Sequence, residues 1–215
     1  MIVSRRSFLT GIGGIAMLPA TAAAASRPPT PQETMGPFYP VRRLAEHDAD
    51  LTRVAGQSGR AAGEVIELFG RVIRRDGSPV ADASIAVWQA NAAGRYAHAA
   101  DTNLVAPLDP NFQGHAEIRS GRDGEYRFVT VKPAPYPATN GTIRAPHVHF
   151  DVSGADARVV TQMYFPGEAL NATDFLRSTM AGRSFDPALL TATRADGREP
   201  GVAAYRWDIV LLDPA

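Results

Sequence analysis

Arg144-Ala145-Pro146-His147-Val148-His149-Phe150 carries two of the chain's five histidines one residue apart. Read as a β-strand, it points successive side chains to opposite faces. His147 and His149 then share a face about 7 Å apart at Cα, with Val148 and Phe150 packing behind them. Two imidazoles so placed can converge on one metal ion. The pair by itself also fits a strand with two packed or surface histidines, because histidine is intermediate in burial. Eleven residues upstream of His147 lies Tyr136, in Pro133-Ala134-Pro135-Tyr136-Pro137, and forty further upstream is Tyr96, in Gly94-Arg95-Tyr96.

Working outward, the flanking sequence reads as mostly β. Val65-Ile66-Glu67-Leu68-Phe69-Gly70-Arg71-Val72-Ile73 is an apolar strand run ending in the turn Arg75-Asp76-Gly77-Ser78-Pro79. Ser84-Ile85-Ala86-Val87-Trp88-Gln89 follows, with Ile85 and Val87 on one face. An Asp-Gly turn between apolar runs signals a hairpin or β-turn. The pattern recurs from Asp123-Gly124 into a strand that places Tyr126, Phe128 and Thr130 on one face. Further strands are expected over 147–152, 157–165 and 205–212, and short helices only over 174–180 and 187–193. With 17 prolines and 19 glycines as punctuation, this spacing predicts an all-β fold. The form expected is an antiparallel β-sandwich with long wrapping loops and one or two short helices. Residues 27–62 are expected to wrap around it.

Composition bounds the function. A length of 215 residues fits one domain, and 45% hydrophobic residues suffice for a core. Twenty-two basic against 22 acidic residues give no net charge, which disfavours nucleic acid or an anionic membrane as partner. The absence of cysteine removes disulfides and thiolate ligands. At the N-terminus, Ser4-Arg5-Arg6-Ser7-Phe8-Leu9 resembles a twin-arginine export signal, followed by a short apolar stretch and small residues through Ser26. That stretch is too short and glycine-broken to span a bilayer, which needs about 20 apolar residues. Residues 1–26 are therefore expected to be removed and 27–215 to form a periplasmic or secreted domain without a membrane anchor.

Several motifs carry a family resemblance. They are Thr34-Met35-Gly36-Pro37-Phe38-Tyr39, Trp88-Gln89-Ala90-Asn91 through Tyr96, Ala106-Pro107-Leu108-Asp109-Pro110-Asn111-Phe112, Lys132 through Pro137, Arg144 to Phe150, Thr161-Gln162-Met163-Tyr164-Phe165 and Ala204 to Leu211. In this order they resemble the intradiol ring-cleaving dioxygenases, and within them the catalytic chains of protocatechuate 3,4-dioxygenase. The resemblance implies a mononuclear non-haem Fe(III) held by Tyr96, Tyr136, His147 and His149. It further implies a catecholic, protocatechuate-like substrate opened by O2 between its two hydroxylated carbons to a cis,cis-muconate-type product. Tyr136 would take a substrate proton, Arg144 would stabilise charge developing on the ring, and Gln162 would steer an oxygen. Assembly with copies of itself or with a related chain is implied as well. The donor set agrees with elementary chemistry, since a hard trivalent cation can ionise phenols whose ordinary pKa is about 10.

Other conspicuous residues read as structural. His47, His98 and His115 are expected in loops or at the surface, Trp88 and Trp207 in the core, and Asp109 with Asn111 fixing a loop. Tyr126, Tyr164 and Tyr205 read as packing residues, while Tyr39 is a candidate pocket residue. Where the protocatechuate enzymes carry tryptophan after Tyr-Pro, this chain has Ala138, which should reshape the pocket. Two rivals compete with the enzyme reading. One is a non-catalytic transthyretin-like β-sandwich binding module, which gives no reason for the four ligand-type residues to coincide. The other is a cupin-like Fe(II) or a zinc enzyme; zinc normally takes imidazole, thiolate or carboxylate.

Overall fold

The computed structural model describes residues 26–40, 48–138, 141–182 and 185–213. The export-signal reading and His47 thus lie outside the described residues, apart from Ser26. The strands are β1 (Val65–Arg74), β2 (Ser84–Trp88), β3 (His115–Arg119), β4 (Glu125–Val131), β5 (Tyr136–Pro137), β6 (Ile143–Arg144), β7 (His147–Ser153), β8 (Arg158–Tyr164), β9 (Thr193–Ala195), β10 (Ala203–Arg206) and β11 (Ile209–Leu211). Among the described residues the helical elements are one α-helix, α1 (Phe175–Gly182), and 3-10 turns at Ala169–Ala172 and Pro187–Leu190.

Two sheets face each other. In the first, β1 pairs antiparallel with β4 and parallel with β10 and β11, and β9 extends β10. In the second, β3-β2-β7-β8 are antiparallel throughout. Alternation along β7 sends Val148, Phe150 and Val152 inward, all fully buried. The Phe150 ring meets those of Trp207, Tyr126 and Phe128 at centroid distances of 5.2, 5.9 and 6.4 Å. Ile85 and Val87 of β2 enter the same core, as the alternation predicts. His147 and His149 therefore fall on the outer face of this sheet. Covering segments, rather than the sandwich core, bury them.

The N-terminal segment supplies part of that cover. Its backbone bonds Thr30 N to Val210 O in the first sheet and Glu33 N to Val160 O in the second, so it crosses from one sheet to the other. Residues 48–62 likewise wrap onto β4, where Leu51 N donates to Val129 O and Val129 N to Ala49 O.

Three local readings differ from the structure. The strand expected over 205–212 is one parallel ladder on β1 interrupted at Trp207 and Asp208. Both halves keep the same register, with Phe69 opposite Arg206 and Val72 opposite Ile209. At the break, Trp207 N donates to Phe69 O and the Asp208 carboxylate replaces a backbone carbonyl in accepting from Arg71 N at 3.1 Å. Gly70 permits this, because a Cβ there would collide with the Trp207 carbonyl. That carbonyl accepts instead from the buried Tyr126 hydroxyl at 2.6 Å. Tyr126→Phe is expected to lower stability by about 1–2 kcal/mol, read as a fall in the urea midpoint at unchanged slope.

The helix expected over 187–193 is a single 3-10 turn capped by Asp186, after which Thr193 enters β9. Tertiary pairing of Thr193–Ala195 with β10 outweighs the weak local helix signal there. Strand β3 is an element the sequence reading did not mark: His-Ala-Glu-Ile-Arg does alternate polar and apolar residues, but over only five positions and with alanine as one of its two apolar members. It moves His115 from an expected loop into a strand beside Trp88.

Candidate active site

Two loops and two strands bring the site together over the outer face of β7. Tyr96 follows a tight turn organised by Asn91, whose Oδ1 accepts from Ala93 N and Arg95 N at 2.9 and 3.0 Å. Asn91 O in turn accepts from Ala134 N, tying this loop to the proline-rich one that carries Tyr136. The loops touch most closely at Gly94, which has φ +79°; a Cβ there would lie 2.6 Å from Pro135 O. Only glycine suits both the backbone angle and the gap. Tyr136 then opens the short ribbon β5–β6, in which it sits opposite Arg144.

The side chains converge. The Nε2 atoms of His147 and His149 are 3.2 Å apart, and Tyr136 Oη lies 3.3 Å from His147 Nε2. His147 Nδ1 is 2.6 Å from Ala145 O. Donation from Nδ1–H to that carbonyl fixes the tautomer and leaves the Nε2 lone pair facing its neighbours. His149 is held by stacking on Trp88, with centroids 4.8 Å apart and planes within 10°. Tyr96 packs edge-on to Tyr136 at 5.4 Å and stacks on Phe38 at 4.4 Å. Its hydroxyl is buried without a hydrogen-bond partner, as is His149 Nδ1.

The electrostatics are those of a buried site. Burial, then the Arg144 charge, hold the His147 imidazole well below the ordinary histidine range. Burial, then His147, do the same to His149. Burial raises both phenols, Tyr96 more strongly than Tyr136, where Arg144 opposes the shift. The protein alone therefore keeps two neutral imidazoles and two neutral phenols together. Those four groups fit a hard cation, which would use the orphaned Tyr96 oxygen and the facing Nε2 lone pairs and could ionise the phenols. Among the described residues no group of three or more His, Asp or Glu side chains could hold a metal. A metal on this face thus depends on the tyrosines, unlike an ordinary zinc site.

A cavity of about 420 Å³ opens onto Tyr136, His149 and Arg144. Tyr96 and His147 are not on its wall, so Tyr136 is the phenol a bound molecule would meet. Arg144 is buried. Its Nε donates to Asp174 Oδ2 at 2.8 Å, and its Nη2 donates to Gln162 Oε1 at 2.6 Å and to Tyr164 Oη at 3.0 Å. Gln162 is wholly buried behind it, and its Nε2 donates to Thr34 O at 3.0 Å and to Glu33 Oε2 at 3.2 Å. Gln162 thus anchors Arg144 to the N-terminal cover and does not line the cavity.

Sequence reading missed Asp174. Its carboxylate also accepts from Ala145 N, at the entry to β7, and from Leu176 N and Arg177 N, capping α1. An Asp directly before a helical stretch is an N-cap signal, but nothing local ties it to an arginine 30 residues earlier. Tyr164 proves to be a hydroxyl partner of Arg144 as well as a packing residue. Trp88 is buried as expected, but as a wall behind His149 outside the main core, whereas Trp207 is in that core. Tyr39 lies off this cavity, edge-on to Trp88, with its hydroxyl 3.4 Å from Asp151 Oδ2. His98 sits in a loop, and Asp109 fixes one by accepting from Ala62 N and Asn111 N.

Comparison with known proteins points one way. The family model described as "Dioxygenase" matches residues 34–213. The chain is 42% identical over 187 residues to the protocatechuate 3,4-dioxygenase beta chain of Burkholderia cepacia, covering 84% of this chain and 78% of that one. It is 34% identical over 164 residues to catechol 1,2-dioxygenase 1 of Acinetobacter lwoffii, covering 70% of this chain and 50% of that one. The solved dioxygenase domain of a carbohydrate-binding fusion from Streptomyces sp. SirexAA-E superposes with a TM-score of 0.62 at 26% identity, covering 87% of this chain and all of that one.

Proposed function

The chain belongs to the intradiol ring-cleaving dioxygenases and is an oxidoreductase of that class, and from that premise we propose that it is a non-haem Fe(III) enzyme opening a catechol between its two hydroxylated carbons with O2. The product expected is a cis,cis-muconate type. The binding-module alternative falls with family membership. The observation that carries the ligand assignment is the convergence of three donor atoms, with His147 Nε2 within 3.3 Å of both Tyr136 Oη and His149 Nε2, next to a buried Tyr96 hydroxyl that has no partner.

Tyr96, Tyr136, His147 and His149 would hold the iron. Bound there, Fe(III) would ionise the phenols and draw electron density from a catecholate, the activation that makes the ring reactive toward O2. The protein's own groups do the rest. Tyr136 Oη, on the cavity wall, accepts a proton from a catechol hydroxyl. Tyr96 stays behind it, screened from the cavity, and keeps its place as a permanent donor. Phe38, stacked on Tyr96, holds its ring in place. Arg144 presents a fixed positive charge to the ring, where preorganised donors act without reorganisation at the moment of reaction. Ala145 O orients His147, and Trp88 orients His149.

Iron-loaded protein should be reddish-brown with a visible phenolate charge-transfer band and should consume O2 with a catechol. A colourless iron-replete protein would overturn the ligand assignment. Tyr136→Phe is expected to retain iron, shift the visible band and slow turnover by about 10²–10⁴-fold, the usual weight of a positioned proton acceptor. Metal analysis with stopped-flow oxygen uptake reads both.

A further inference from the structure

The cavity wall itself speaks to the ring substituent. Besides the catalytic groups, one side of its lining is apolar, with Pro37 and Phe38 from the N-terminal cover, Pro137 and Ala138 after Tyr136, and Phe175 and Leu176 at the start of α1, while the uncharged polar side chains Thr34, Thr102 and Asn103 lie on the rest. Among the described residues two charges line the cavity. Arg144 is already paired with the buried Asp174 carboxylate at 2.8 Å and is the only cationic side chain lining the cavity among the described residues. The other is the Asp101 carboxylate, fixed in the wall because Tyr96 N donates to its Oδ2 at 2.7 Å and Asn103 N to its Oδ1 at 2.8 Å. An anionic substituent here would lose water, meet an apolar surface and face a like charge that cannot swing away. Burying a charge without a partner is strongly unfavourable, whereas an alkyl group on the same wall gains from burial. At about 420 Å³ the cavity has the size of a pocket for a substituted small molecule. Ala138 leaves room beside Tyr136 where a large side chain would narrow the space.

We infer that the site is built for a catechol carrying an uncharged, apolar ring substituent and selects against a ring carboxylate, with Asp101 and Ala138 as the specificity-determining residues. The inference rests on the ring-cleavage reading above.

The test compares iron-loaded protein on 4-methylcatechol, 4-propylcatechol, protocatechuate and 3,4-dihydroxybenzamide, the amide being the uncharged counterpart of protocatechuate. Turnover is followed by oxygen uptake, and anaerobic dissociation constants are measured by fluorescence quenching. The alkylcatechols and the amide should exceed protocatechuate in kcat/KM by at least about tenfold, and should bind correspondingly tighter. Asp101→Asn should raise the protocatechuate-to-amide ratio by about fivefold or more, a ratio in which any general loss of activity cancels. Ala138→Trp should depress 4-propylcatechol more than 4-methylcatechol. Protocatechuate equal to or better than its amide in the unaltered protein, or a ratio unmoved by Asp101→Asn, overturns the inference and leaves ring cleavage standing. If no catechol is turned over by iron-replete protein, the ring-cleavage reading fails, and the anaerobic binding order still decides whether the pocket prefers the uncharged ring.

Discussion

His147→Ala is expected to yield folded protein that binds almost no iron and has no measurable oxygen uptake with a catechol. The imidazole is one of three groups whose donor atoms lie within 3.3 Å of a neighbour in the cluster. Its own orientation is set by Ala145 O at 2.6 Å. Loss of an outer partner that merely orients a ligand weakens metal binding by about 10–100-fold, so loss of the ligand itself should cost at least the upper end of that range. Inductively coupled plasma analysis should show iron well below one per chain after dialysis, and the visible band should vanish. Stability without metal should change little, because the histidine faces the outer side of the sheet and leaves the Val148–Phe150–Val152 core intact. Full iron content in this variant would remove His147 from the ligand set.

Arg144→Met should produce the largest loss of stability among single changes at the site. Arg144 and Asp174 are both almost wholly buried, and removing one partner leaves the Asp174 carboxylate without its cation. Breaking such a pair typically costs about 3–5 kcal/mol. Chemical denaturation should show this as a lower midpoint. Adding Asp174→Leu should recover part of the loss, since replacing a whole buried ion pair by apolar groups is often neutral. Recovery stays partial because Asp174 also caps α1 and accepts from Ala145 N. Turnover behaves differently: the fixed charge beside the ring is gone in both variants, so both should lose about 10²–10³-fold in kcat. A double variant that regains rate along with stability would show that Arg144 acts only as a strut.

The legible parts of this protein are those with a short covalent period. Alternation in Ser84–Trp88 and His147–Ser153 showed in advance which side chains enter the core, Val65–Ile73 read as an apolar strand run, and the Asp-Gly pairs marked the turns. The resemblance of whole motifs, and not residue type alone, singled out Tyr96 and Tyr136 from six tyrosines as companions of the His-x-His strand. Less legible were elements whose state depends on a distant neighbour. Trp207 and Asp208 interrupt a strand because Gly70 and Tyr126, far away in the chain, make a place for the displaced carbonyl. Thr193–Ala195 is extended because β10 pairs with it. Strand β3 alternates over five residues only, too short a signal by itself, and is held as the edge partner of β2.

The site divides along the same line. The sequence by itself determined the identities of Tyr96, Tyr136, His147 and His149 and the shared face of the two histidines, since a strand's two-residue period is set by backbone geometry. Only the tertiary structure decided that this face is the outer one, buried by the N-terminal cover and two loops. It also placed Tyr136 rather than Tyr96 on the cavity, drew Gln162 back to brace Arg144, and brought Asp174 under that arginine. These outcomes join residues 18 to 129 positions apart through hydrogen bonds that form only when the layers pack. No local pattern encodes such distances, so the residues announce the chemistry while packing assigns each its part.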